Sequence, residues 1–406
     1  MGAYLSSPVT NKIKADCTGD TMSAGSCAMQ GWRKDMEDSH FELLPFRERE
    51  GDCLFGVFDG HGGSAVARFC SENFPNVLIR DEQFIDGDVK EGLRRTYLKL
   101  DEMLQDPANV AILKKYSKRS NSSGGDTPPA VTERRPSNHP ASNTGCTAVV
   151  VHVSGTKLTV ANSGDSRAVL CRNGEAVDLT IDHKVTLESE RDRISAAGGV
   201  VLNGRVNGSL NLTRALGDLA FKGDSNLKPE DQVITANPDV FEVDLDPETC
   251  DFLIIACDGL FEVFDSQEAC DYVSHGLRFL RGTELPASPD STASEPPNSI
   301  SDIVARMLDV ACSDDVGKTE GLGGDNLTCI VVDLRPGQPL SNVDRVIKYE
   351  DDGGEFVLKP NSYKVLEFRS NSSSSSSGSD VFSHTDECES RVEKLEGFDV
   401  SKDQSN

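Results

Sequence analysis

"CLFGVFDGHGGSAVARFC" occupies residues 53–70 of a chain of 406 residues. Leu54 to Phe58 is continuously apolar, the pattern of a strand buried on both faces. Asp59 follows at the exposed strand end, where a side chain can reach a ligand. Gly60, Gly62 and Gly63 let the backbone turn tightly and approach a bound group closely. His61 is held among them, and a helix begins in the residues after it. Taken alone, the segment reads better as an ordinary Asp-Gly turn.

The same pattern recurs along the chain. "FLIIACDGLFEVF" (252–264) puts Asp258 and Gly259 after another apolar run. "LTVANSGDSRAVL" (158–170) puts Asp165 in a turn between two short strands, and "GLGGDNLTCIVVDL" (321–334) puts Asp325 just before a strand. One such aspartate is turn chemistry, whereas four at strand ends indicate carboxylates gathered at one rim. Clustered carboxylates raise one another's pKa unless a cation neutralises them. Hard divalent cations such as Mg²⁺ or Mn²⁺ take oxygen ligands, so a metal site is the leading expectation.

Charge narrows the partners. The net charge is −26, from 67 acidic and 41 basic residues. Only a minor share of the excess lies in the tail after Leu340. An acidic body argues against nucleic acid as a partner, because phosphate backbones are bound by Lys and Arg. The twelve cysteines show no C-x-x-C pair and no zinc spacing, and several lie in apolar strand patterns. This indicates a reducing compartment without a disulfide framework. No apolar stretch approaches the length of a membrane span, and no signal-peptide core opens the chain. "MGAYLS" does place Gly2 and Ser6 as an N-myristoylation pattern requires. One acyl chain gives weak, reversible attachment.

Strands are expected near 53–58, 146–153, 157–161, 167–171, 252–257 and 328–334. Val89, Leu93, Tyr97, Leu100 and Leu104 fall on one helical face. Asp265 or Ser266 caps a helix through Ala269, Val273 and Leu277, and Ile303, Val304, Met307, Leu308 and Ala311 mark another. Mixed helices and antiparallel strand pairs indicate an α+β layered domain. Segments 118–143 and 282–299 are polar and rich in Pro and Ser, so they are expected to be disordered insertions.

Seven motifs occur in order: "MQGWRKDMEDSH", "FGVFDGHGG", "NTGCTAVVV", "ANSGDSRAVL", "VNGSLNLTRALGD", "ACDGLFEV" and "GGDNLTCIVV". Together they closely resemble the metal-dependent serine/threonine protein phosphatases of type 2C. The resemblance implies a phosphatase domain over 23–335, after an N-terminal segment 1–22 and before an acidic, Ser-rich, largely disordered tail 336–406. It implies an antiparallel β-sandwich flanked by α-helices, with a metal cleft at one end. Asp59 would bridge two Mn²⁺ or Mg²⁺ ions, and the Gly60 carbonyl would ligate one of them. Asp258 and Asp325 would hold one ion, and Glu37 would help hold the other. Asp165 with Asp258 would form a weaker third metal site. Asp38 would orient metal-bound water, Arg33 would bind the substrate phosphate, and His61 would protonate the leaving alkoxide.

That assignment is chemically coherent. Two ions acidify a bridging water and clamp the oxygens of an in-line displacement. Arg33 offers phosphate a planar bidentate fork. A histidine near neutral pH suits an alkoxide leaving group. This assignment needs no nucleophilic cysteine, which disfavours a thiol mechanism. Trp32 reads as packing, and Arg214 as a salt-bridge partner of Asp218. Glu262 stands where many relatives carry Asp, which bears on an outer metal position. The expected partners are phosphorylated protein substrates, met by a monomer in the cytoplasm or at a membrane, with the nucleus left open. The alternative function is a catalytically weak phosphoprotein-binding scaffold on the same fold, disfavoured because Asp59, Asp258, Asp325 and Glu37 are all present.

Overall fold

The strand Asp52–Phe58 sends alternate side chains into two different cores. Cys53, Phe55 and Val57 join one buried cluster, and Leu54 and Phe58 join another. Successive strand side chains point to opposite faces, so a strand covered on both sides must be apolar at every position. Full burial of a side chain such as Phe55 stabilises by about 1.5–3 kcal/mol.

The computed structural model describes residues 4–47, 51–117, 139–282, 297–338 and 340. Gly2, most of the 118–143 and 282–299 insertions, and the tail from 341 lie outside the described residues.

Two antiparallel sheets form the centre. One runs in the order Val9–Thr18, Ser23–Gly31, Leu327–Asp333, Cys250–Ala256, Arg167–Arg172 and Glu175–Asp178. The other runs Asp239–Asp244, Lys157–Ser163, Ala148–Ser154, Asp52–Phe58 and Ser39–Leu43. Between them, Phe55, Val57, Val151 and Val160 of one sheet meet Leu170, Leu253, Ile255 and Ile330 of the other. The outer face of the five-stranded sheet is covered by helices Ala65–Leu78 and Val89–Gln105 through Val66, Phe69, Phe74, Tyr97 and Leu100. Helices Ser266–Leu280 and Ile300–Ala311 cover the other sheet through Val273, Leu277, Val304 and Leu308. The result is the expected four-layer α-β-β-α sandwich, an α+β fold.

Local chemistry explains the element ends. Asp265, rather than Ser266, caps its helix: its carboxylate accepts from Glu268 N at 2.8 Å, and the Glu268 side chain accepts from Asp265 N at 2.8 Å. Asp88 caps the helix that the Val89–Leu104 spacing predicted. Tyr97, buried in the apolar layer, donates its hydroxyl to Ala161 O at 2.8 Å and pins that helix to the sheet. Trp32 is packing, as expected: it is buried, with Nε1 donating to Ser313 O at 2.7 Å.

Candidate active site

Strand register puts the acidic residues on one rim. Ser39 pairs with Phe58, so Glu37 and Asp38 lie at the same end as Asp59. Val57 pairs with Val149, and Ala148 with Ser163, which brings the Gly164–Asp165 turn to that end as well. In the facing sheet Ala256 pairs with both Arg167 and Cys329, so Asp165, Asp258 and Asp325 again share one end. Antiparallel pairing alone therefore collects carboxylates from widely separated segments.

Their electrostatics record the crowding. Burial, then Asp38, Asp258, Asp325 and Asp165, push the Asp59 carboxyl far above its usual range. Burial raises Asp38 to about 7, against the pull of a hydrogen bond from Thr328 Oγ1 at 2.7 Å. Burial and neighbouring Asp258 raise Asp165 to about 7, and burial with Glu262 and Asp325 does the same for Asp258. Glu37 and Glu262 are also raised, chiefly by burial. Glu262 thus shares the field of the cluster.

The backbone is equally constrained. A Cβ on Gly60 would overlap the Glu37 carbonyl oxygen, so only glycine permits that approach. Asn326 clamps the other wall: its Oδ1 accepts from Glu37 N at 2.9 Å, and its Nδ2 donates to Gln30 O and Asp35 O at 2.8 and 3.1 Å.

Two cationic groups face the acids. The Arg33 guanidinium, nearly half exposed, donates to Asp325 Oδ2. Burial would depress Arg33, but Asp325 keeps it above its usual value. His61 Nε2 shares a 2.6 Å hydrogen bond with Asp218 Oδ2. Burial would lower the imidazole, yet Asp218, Glu37 and Asp165 hold it above its ordinary pKa. Gly145 makes room for this pair, since a Cβ there would strike Asp218 and stand 2.8 Å from His61 Nε2.

All nine residues singled out in the sequence therefore lie at or beside one rim. Asp59 contacts Asp38 and Asp258 through hydrogen bonds between carboxyl groups. Among the described residues, no three His, Cys, Asp or Glu side chains stand arranged around a common point. The donor set is nevertheless all oxygen and crowded with carboxyl groups whose charge a cation would neutralise, and this chemistry fits Mg²⁺ or Mn²⁺.

One sequence expectation is corrected. Arg214 pairs with Glu190 at 2.8 Å and Asp239 at 2.7 Å rather than with Asp218, which is taken up by His61. Asp218 was the functional partner missed, although "LTRALGD" contained it. Asn326 and Thr328 were missed too, although "GGDNLTC" carried both.

Comparison with known proteins gives the class. The family profile described as Protein phosphatase 2C matches residues 22–290. "Probable protein phosphatase 2C 21" of Arabidopsis thaliana is 36% identical over 356 residues, 84% of this chain and 94% of that protein. "Probable protein phosphatase 2C 3" of Paramecium tetraurelia is 37% identical over 335 residues, 82% of this chain and 100% of that one. Among solved structures, the serine-threonine phosphatase 2C from Toxoplasma gondii superposes with a TM-score of 0.58 at 18% identity, over 80% of this chain and 99% of that chain. The chain belongs to the type 2C family of protein phosphatases and is a serine/threonine phosphatase.

Proposed function

We propose that this phosphatase hydrolyses phosphoserine and phosphothreonine in proteins by direct attack of water, with Mn²⁺ or Mg²⁺ in the cleft. The observation that carries this reading is the convergence of Glu37, Asp59, Asp165, Asp258 and Asp325 from separate strand ends, where burial and neighbouring carboxylates raise the pKa values of Asp59, Asp165 and Asp258. Asp59, Asp258, Asp325, Glu37 and the Gly60 carbonyl would hold two ions, with Asp165 serving a weaker third. When bound, the cations supply Lewis acidity and screen the carboxylates from an incoming phosphate.

The remaining roles belong to the protein's own side chains. Arg33, nearly half exposed beside Asp325, binds the phosphoryl oxygens through its fork. Asp38, anchored by Thr328, accepts a proton from the attacking water or orients it. His61, whose protonated form is favoured by Asp218, delivers a proton to the departing seryl or threonyl oxygen. Activity on a phosphopeptide should vanish in excess EDTA and return with Mn²⁺ or Mg²⁺. Full activity after exhaustive chelation would overturn the reading.

We further place residues 23–335 as the catalytic unit, acting as a monomer in the cytoplasm or nucleus. Every cysteine among the described residues is a free thiol, which suits a reducing compartment. A myristoyl chain on Gly2 would add weak membrane attachment. No helix among the described residues is long and apolar enough to cross a membrane.

A further inference from the structure

Lys184 presents an ammonium to the outer flank of the carboxylate cluster. Its Nζ stands 3.5 Å from Asp165 Oδ2 and 3.9 Å from Asp182 Oδ2. Asp258 and Glu262 also lie within its field. The side chain is 43% exposed, whereas the Asp165 side chain beneath it is 3% exposed.

Surface lysine pairs usually contribute little, because a long side chain must be ordered to make them. The base of this one is fixed. His183 and Gly164 exchange hydrogen bonds: Gly164 N donates to His183 Nδ1 at 3.1 Å, and His183 N donates to Gly164 O at 3.0 Å. Thr213 Oγ1 donates to His183 O at 3.0 Å, His183 Nε2 meets Asp239 at 3.0 Å, and Lys184 itself bridges Leu212. The residue before Lys184 is thus bolted to the very turn that carries Asp165. This mounting aims the ammonium at Asp165.

We propose that Lys184 is a built-in cation on the outer flank of the cluster, so that a divalent ion reaches Asp165 and Asp258 only by displacing its ammonium. The inference rests on reading the cleft as a metal centre. Two cations cannot share one carboxylate flank without repulsion, which weakens the outer ion relative to those held at Asp59. Lysine suits the task better than arginine. Its charge is a compact point on a flexible four-carbon stem, so it can swing into solvent when an ion arrives. Asp59, Asp325 and Glu37 are not partners of Lys184 and Asp258 is reached only through its field, so the effect falls chiefly on the outer ion. Outer-ion binding then reports on where the Lys184 side chain is.

Mn²⁺ titration of the full chain, with the paramagnetic resonance signal of free Mn²⁺ as readout, tests this directly. In Lys184→Met the outer ion should bind at least about ten-fold tighter than in the unaltered protein, while the affinity of the inner ions changes far less. Lys184→Arg should show no such gain, and Asp165→Asn added to Lys184→Met should abolish it. An unchanged outer affinity in Lys184→Met, or a gain that survives Asp165→Asn, overturns the proposal. An unaltered protein that binds no Mn²⁺ overturns the metal-centre reading itself, and this inference with it. Thermal melting gives a second measure: Mn²⁺ should raise the Tm of Lys184→Met more than that of the unaltered chain. A Lys184→Met chain that folds only when Mn²⁺ is present supports the proposal, and one unfolded with and without Mn²⁺ refutes it.

Discussion

His61 and Asp218 are 157 residues apart in the chain and meet in a 2.6 Å hydrogen bond between Nε2 and Oδ2. Asp218 is buried and sits in the left-handed backbone region at φ 48°, directly after Gly217 at φ 80°. Its amide donates to Thr144 O at 3.0 Å, which ties it to the short strand Gly145–Cys146 that pairs with Gly60–His61. Ring and carboxylate are therefore carried by the two outer strands of one three-stranded ladder, Gly60–His61 and Leu216–Gly217, which flank Gly145–Cys146.

A proton donor matters only when the leaving oxygen is basic. His61→Gln should leave Mn²⁺ binding intact and cut kcat on a phosphoserine peptide by about 10²- to 10⁴-fold. Para-nitrophenyl phosphate releases a stable phenolate and should lose far less. Asp59→Asn should damage both substrates alike. Equal losses on the two substrates in His61→Gln would show that His61 is not the acid.

Asp218→Asn removes the charge that holds the imidazole up while keeping a hydrogen-bonding side chain of the same size. The acid must be protonated to act, so lowering its pKa should move the alkaline limb of the kcat–pH profile on a phosphopeptide to lower pH. Mn²⁺ affinity should stay within about three-fold, since the side chain is not among the proposed ligands. An unmoved limb would refute the assigned role of Asp218.

Metal-free stability should fall as pH rises. Burial disfavours the charge of Asp38, Asp165 and Asp258 and raises their folded-state pKa values to about 7, against about 3.9 for an ordinary aspartate. Between about pH 4 and about pH 7 the folded state binds more protons than the unfolded one, and stability declines across that window. Glu190, held down at about 2 by Arg214, acts oppositely, and its contribution is lost only in stronger acid. The Tm gain produced by saturating Mn²⁺ should therefore grow between about pH 5 and about pH 8. A gain independent of pH would contradict the buried cluster.

Gly2 should carry a myristoyl group when the protein is made in a cell containing the transferase. Intact-mass measurement of the mature N-terminus decides this. A free or acetylated Gly2 throughout would end the proposed membrane attachment.

The inner strands were legible in the sequence because burial on both faces leaves an unbroken apolar run, as in Leu54–Phe58 and Phe252–Ala256. Edge and small-residue strands were not. Val9–Thr18 is largely exposed and polar, so it carries no apolar run, and its Lys12 and Lys14 are held by Asp309 and Asp302 of a helix distant in sequence. Ser23–Gly31 lies mid-sheet, but Gly25 faces the start of the helix Ile300–Ala311 so closely that a Cβ would clash. Small residues are required there, and they hide the β signal. Asp59, Asp165, Asp258 and Asp325 announced themselves by sitting at strand ends, whereas Glu37 and Asp38 were legible only through the family resemblance. Asp218 did not, because nothing local distinguishes a partner of His61 from a partner of Arg214.

The strand Leu327–Asp333 lies between Ser23–Gly31 and Cys250–Ala256. During synthesis, those two early strands must wait for the last one before their sheet can close. A ribosome paused before residue 327 holds a chain with two unpaired apolar edges, a template for aggregation. Asp325 and Asn326 arrive with the same strand, so the nascent chain gains its closed sheet and its complete acidic cleft in one event.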